Sequence, residues 1–290
     1  MTAAGVATNA TPCLALDIGG TKVDAAVVWS DGRMENRERI LVADQTDLLS
    51  ATVALLKRVR ADFPIDVLGV GTAGPMTKGG ELISPLNIAS WRNFPLRERL
   101  RTALDLEVFV EIDAKALALA EGRFGGAQDD DSYMSLVVST GIGGAIVMNG
   151  RLLDGATGNA GHIGHLNVVP NGRLCSCGSY GCLEAEASGW AITDMTGAIP
   201  ALANQTTRER CAEMVGRAIG SLASVLDVSR CYVAGSVALG FGDVFFDVAT
   251  KTARSLASMP YCADLEIRQS ALDQDGPLLG AACVAWRGAL

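Results

Sequence analysis

The chain is short of positive charge, of aromatic side chains and of long apolar runs, and each shortage narrows what it does. Across 290 residues, 24 Lys and Arg stand against 32 Asp and Glu, a formal net charge of −8. Nucleic-acid binders draw most of their non-specific affinity from basic side chains on phosphates, so no nucleic-acid partner is expected. Hydrophobic residues make up 49% of the chain, but they come in short runs, none near the ~20 apolar residues of a membrane span. No membrane partner is expected either. The opening MTAAGVATNATP has neither a basic start nor an apolar core, which predicts no signal peptide and a cytoplasmic location. Aromatics are sparse at 5%, whereas glycine is abundant at 33 residues. A length of about two domains and this composition fit a soluble, Gly-rich α/β protein.

Cysteine is present eight times, an even number compatible with disulfides. Five of the eight (Cys13, Cys211, Cys231, Cys262 and Cys283) are scattered through apolar or helical surroundings, where free Cys behaves as a small buried hydrophobe. Cys175, Cys177 and Cys182 instead crowd together, and clustering without a secretory signal favours a metal site.

Hydrophobic periodicity organises the rest. Strands are predicted at 14–18, 23–29, 40–42, 67–71 and 108–112, with Asp31-Gly32 as a hairpin turn into the third. Helices are predicted at 46–62, from Pro95 as a first-turn residue, and over 114–122. The second half repeats the pattern: strands at 134–139 and 145–148 around a Gly turn, then an irregular Gly-rich stretch over 149–184. Helices follow at 185–196, 207–227, 243–257 and 277–288, with strands at 231–234 and 265–268. The pattern reads as a duplicated mixed α/β unit facing a cleft, with a hinge near 114.

Gly69-Val70-Gly71-Thr72-Ala73-Gly74 matches G-x-G-x-x-G, but Pro75 follows at once and no acidic residue lies where a dinucleotide fold needs one. A loop offering backbone groups to a ligand is the better reading. Asp17-Ile18-Gly19-Gly20-Thr21-Lys22 places glycines between two strands, where backbone N–H groups can approach phosphate oxygens. Asp17 is suited to organising Mg²⁺ and Thr21 adds a hydroxyl. An ordinary Gly hairpin would look the same, except that Ser139-Thr140-Gly141-Ile142-Gly143-Gly144 repeats the arrangement. Two such turns suit one polyphosphate. Asp113, between a strand and a helix, serves either as a helix cap or as a general base. His165, Cys175, Cys177 and Cys182 read H-x9-C-x-C-x4-C, a donor set for a tetrahedral structural Zn²⁺. A redox pair fits less well, because the spacing is C-x-C.

These residues together resemble the ROK family (repressors, open reading frames and kinases), of hexokinase/actin-like ATPase fold with duplicated ribonuclease H-like domains. DIGGTK, SPLNIASWRNFPL, the Asp113 segment, STGIGGA, GHIGH…CSCGSYGCLE, AGSV and DGPLLGAA occur in the family's order, and CxCGxxGCxE is highly specific. The resemblance implies an N-terminal lobe over 1–114 with the last helix, about 277–290, packed back on it. It implies a C-terminal lobe over 115–276 with the zinc loop at 161–184. Asp113 would be the catalytic base on a sugar 6-hydroxyl. Gly74, Asn87, His162, His165 and Glu184 would contact sugar, and His165 also the zinc. Asp17, Gly19, Gly20, Thr21, Lys22, Thr140, Gly141 and Gly235 would hold ATP and Mg²⁺.

AGHIGH is nearest to bacterial N-acetylmannosamine kinases, since most ROK glucokinases carry Glu where this chain has His162. The implied activity is ATP-dependent phosphorylation of an N-acylhexosamine, N-acetylmannosamine first, in a homodimer. A glucokinase-like hexose kinase or a catalytically weak sugar-binding regulator are the alternatives. Two departures stand out: Ile112 replaces the Asn that bonds sugar hydroxyls, and Lys115 replaces a small polar residue.

Overall fold

The computed structural model describes residues 11–85 and 88–289. They form two compact units, one running up to Asp113 together with the segment from Pro277 onward, the other Ala114–Gly276. Each unit is built on a five-stranded mixed sheet.

In the first unit β1 (Pro12–Ile18), β2 (Lys22–Trp29) and β3 (Met34–Leu41) form an antiparallel meander. Two strands parallel to β1 extend it, β4 (Val67–Thr72) and β5 (Glu107–Ile112), giving the order β3-β2-β1-β4-β5. β1 and β2 are buried almost throughout, which is why they read as near-continuous apolar runs. The third strand is longer than 40–42. Its sequence, MENRERIL, hides it because an edge strand is half solvated and accepts charge. Two helices precede β4 and β5: α1 (Leu48–Arg60), capped by the Asp47 carboxylate on Ser50 N, and α2 (Leu96–Leu104). Pro95 is the N-cap of α2, just outside the helix. Leu55, Leu56, Val59, Leu96 and Leu100 pack with Leu14, Leu16, Leu68 and Val70 in one core.

Side chains alternate along a strand, so Gly69 faces opposite to Leu68 and Val70. There it meets the last helix, α9 (Gly276–Gly288). A Cβ on Gly69 would lie 2.7 Å from Ala285 N and closer still to the Ala281 carbonyl. The strand can therefore only be glycine where this helix crosses it.

The second unit follows the same plan. After α3 (Asp113–Phe124) come β6 (Tyr133–Val138), β7 (Ile142–Met148) and β8 (Arg151–Leu152), an antiparallel meander. Gly143 and Gly144 lie inside β7 and not in the turn, which shortens the turn to residues 139–141. Next along the chain are α4 (Leu183–Ala187), α5 (Gly189–Thr196) and α6 (Gln205–Leu226). The helix expected over 185–196 is thus two, because the Ser188 side chain accepts from Ala191 N and starts a new helix. Parallel strands β9 (Arg230–Ala234) and β10 (Glu266–Gln269) complete the order β10-β9-β6-β7-β8. Between them lie α7 (Ser236–Phe241), which periodicity over six residues is too short to reveal, and α8 (Asp243–Leu256). Cys211, Val215 and Ile219 of α6 pack with Leu136 and Val138 of β6 and with Phe245 and Ala249 of α8.

Candidate functional site

In both units the chemistry collects at the carboxyl ends of strands, where open α/β sheets present ligand loops. In the first unit these are the ends of β1, β4 and β5. Asp17 on β1 pairs with Asp24 on β2 and with Gly71 on β4. Asp24 is buried, with Arg39 Nε at 2.5 Å and Lys22 Nζ at 3.3 Å. Asp17 has no such ion pair among the described residues. Burial, then the charges of Asp113 and Asp24, push its carboxyl up to about 7 against the pull of Lys22 and Arg37. A carboxylate so poor in compensation is one that a divalent cation relieves, so the residues fit Mg²⁺.

The turn after it is tight, Gly19 N donating to Lys22 O at 3.0 Å, with Thr21 exposed. β4 ends at Thr72 and runs into the Gly74–Pro75 loop. The next helix after it among the described residues is α2, preceded only by a single 3-10 turn, so the dinucleotide pattern is excluded. Asp113 is exposed and is the first residue of α3, directly after β5. Ile112, its neighbour, is buried with Val108 and Val110 in the unit's core. Asn87 lies outside the described residues.

In the second unit the β6–β7 turn is fastened from three sides. Ser139 N donates to Gly141 O at 2.9 Å, Gly189 N to Ser139 O at 2.8 Å, and Trp190 N to Thr140 O at 3.0 Å. Glu184 Oε2 accepts from Ile142 N at 2.9 Å, and a Cβ at position 141 would lie 2.7 Å from that oxygen. Glycine at 141 therefore lets the Glu184 carboxylate reach the turn. Gly235, at φ 102° after β9, would carry a Cβ 2.7 Å from Val138 N, so only glycine lets the chain pass this close to β6. Ser236 Oγ, which the motif reading passed over, lies 3.0 Å from Ser139 Oγ and adds a hydroxyl beside the turn. Glycine turns with hydroxyls beside them fit a polyphosphate.

A ring nitrogen of His165 and the sulfurs of Cys175, Cys177 and Cys182 all lie within 4.8 Å of one another. Cys175 Sγ is 3.6 Å from His165 Nδ1, and Cys177 Sγ is 3.7 Å from Cys182 Sγ. Donors 2.0–2.3 Å from a tetrahedral Zn²⁺ stand about 3.5–3.8 Å apart, so the residues fit zinc and not a disulfide. The loop is a knuckle: Cys175 N donates to Ser179 O at 2.8 Å and Gly178 N to Cys175 O at 2.9 Å. Burial and its neighbouring thiols push Cys182 up to about 12, a cost that a cation at the cluster removes. Glu186, 1% exposed, braces the loop by accepting from Arg173 N and pairing with Arg210. The remaining five cysteines are buried and unbridged.

His162 comes three residues before the cluster, its ring 6.0 Å from that of His165. Its Nε2 is buried with no hydrogen-bond partner among the described residues. Burial first, then His165 and Lys115, hold the imidazole below its ordinary pKa against the opposing charge of Glu184. The ring thus offers one buried, unpartnered nitrogen.

Twin sheets carrying glycine turns, a strand-end carboxylate and a Cys₃His cluster define a two-unit α/β enzyme with the fold of the ROK sugar kinases. A ROK family model matches residues 13–287. The N-acetylmannosamine kinase of Pasteurella multocida (strain Pm70) is 33% identical over 288 residues, covering 93% of this chain and 95% of that one. The ROK hexokinase structure from Thermus thermophilus superposes with a TM-score of 0.83 at 30% identity, covering 96% of this chain and 99% of that one. A ROK glucokinase from Streptomyces griseus, solved with glucose and AMPPNP, gives 0.84 at 28% identity over 96% of this chain and 100% of that one. The chain belongs to the ROK family, among its sugar kinases.

Proposed function

We propose that the protein transfers the γ-phosphoryl group of ATP to the 6-hydroxyl of N-acetylmannosamine, in the cytoplasm. The observation that carries the substrate class is His162. A neutral imidazole with an unpartnered Nε2 suits an N-acyl group, where a carboxylate would demand hydroxyl donors. The 33% identity to a kinase of that name supports the same reading.

Asp113 is the general base. Exposed at the start of α3, it takes the 6-hydroxyl proton as the O6–phosphorus bond forms and the bond to the β-phosphate oxygen breaks. Backbone groups at Gly19, Gly20, Thr140, Gly141 and Gly235 hold the phosphates and nucleoside, with Thr21 and Lys22 beside them. Asp17 would hold Mg²⁺, which supplies neutralisation of the phosphoryl charge. Gly74, His162, His165 and Glu184 contact the sugar. His165 with Cys175, Cys177 and Cys182 would hold Zn²⁺, which fixes the loop.

ADP release measured on glucose, mannose, N-acetylglucosamine and N-acetylmannosamine tests the assignment. The expected result is a kcat/KM for N-acetylmannosamine about tenfold or more above the others. A preference for glucose would move the protein to the glucokinases. Sugar binding by calorimetry without ADP release would make it a regulator. Asp113→Asn should cut kcat by roughly 10²–10⁴ without lowering the melting temperature, since it relieves repulsion on Asp17; wild-type turnover would remove Asp113 from the mechanism.

A further inference from the structure

Lys115 stands where a cation is least at home. It lies in the first turn of α3, at the positive end of the helix, and is 1% exposed. A buried ammonium at that end needs acceptors close by. Two come from one loop: Lys115 Nζ donates to Asp154 Oδ1 at 2.9 Å and to the Gly158 carbonyl at 3.0 Å.

That loop, residues 153–161, follows β8 and leads straight into His162. Gly155, Gly158 and Gly161 have φ of 73°, 90° and 100°. Within it Ala160 N donates to Asp154 O at 3.1 Å and Asn159 Nδ2 to the Thr157 carbonyl at 3.4 Å, and Leu153 N donates to Ile146 O at 2.8 Å. Three left-handed glycines make the segment's backbone costly to order. Lys115 fastens it from inside at two points, four residues apart.

We propose that Lys115 is a positioning residue for sugar recognition: bonded to Asp154 and Gly158, it fixes the 153–161 loop and through it the imidazole of His162. The inference rests on the reading of His162 as a sugar contact. Lys115 acts through the loop and not on the reacting atoms, so it governs sugar affinity more than turnover.

The test uses the full chain, Mg–ATP, and whichever of the four sugars above is turned over best. Lys115→Met keeps the length and removes the charge. It should raise the sugar KM about tenfold or more and leave kcat and the ATP KM within about threefold. Asp154→Asn, whose side chain is 43% exposed, keeps the fold and the Gly158 bond, and should raise the sugar KM by about threefold. The double variant should match Lys115→Met alone, since both act on one contact.

The chain has only 2 histidines, so imidazole NMR resolves His162 from His165. In the absence of sugar, the His162 signal should shift and broaden in both variants while the His165 signal stays in place.

An unchanged sugar KM and unchanged His162 signal in Asp154→Asn and Lys115→Met, with a raised KM in His162→Ala, would overturn the positioning role alone. An unchanged sugar KM in His162→Ala would overturn the site reading and the proposal with it. Equal losses in kcat and both KM values with a lowered melting temperature would make Lys115 merely structural. If Lys115→Met does not fold, Asp154→Asn and its His162 signal decide the matter.

Discussion

Replacing Asp17 with Asn should make the protein more stable and less active, and the size of the gain should depend on pH. The Asp17 carboxyl is lifted from 3.8 to about 7 by burial, by Asp113 and by Asp24, in that order. A folded-state value above the unfolded one means that the unfolded chain loses its proton first. The folded state is therefore undiminished below 3.8, loses stability as pH rises towards 7, and carries the full penalty above it. At 1.36 kcal/mol per pH unit the span from 3.8 to about 7 corresponds to ~4 kcal/mol, an upper limit once water and relaxation screen the charges. Asparagine keeps the shape and removes the charge. Scanning calorimetry in magnesium-free buffer should place Asp17→Asn roughly 5 °C or more above wild type at pH 8. The gap should close towards pH 4.5, and phosphoryl transfer should fall throughout. A variant less stable than wild type at pH 8, or a gap independent of pH, would refute the argument.

Removing zinc with a strong chelator, or replacing Cys177 with Ser, should raise the sugar KM and lower the melting temperature. Once the metal is gone, Cys177 and Cys182, 3.7 Å apart, should become oxidisable to a disulfide. Zinc content and thiol titration check this; a zinc-free protein with wild-type sugar affinity would remove the loop from sugar binding. Gly69→Ala, whose Cβ would sit 2.7 Å from Ala285 N, should destabilise by at least ~2 kcal/mol in urea unfolding. A neutral result would mean that α9 shifts freely over β4.

Much of this was legible because the signals were local. The thiols could be sorted by spacing alone: three within eight positions meet in one cluster with His165, and five in apolar settings are buried. Buried β1 and β2 read as apolar runs, and the glycine turns after β1 and β6 stood out by being repeated. β3 was shortened because an edge strand need not be apolar. The helix over 185–196 was left whole because a single serine cap changes no periodicity. Ile112 departs from the family's motif, and the fold shows where its side chain goes: it continues the core row of Val108 and Val110.

By itself the amino-acid order determined the family, the two-unit α/β plan and the residue types of each loop, because these depend on patterns within a few tens of residues. Tertiary structure alone decided which groups meet. Asp17 is raised by Asp113, 96 positions along the chain, and the Lys115 ammonium finds Asp154 and Gly158 across 39 and 43. The sequence rejects a dinucleotide motif around Gly69, but only α9 crossing the strand shows why the position is glycine. Burial and charge proximity are properties of the folded surface, and no window along the chain contains them.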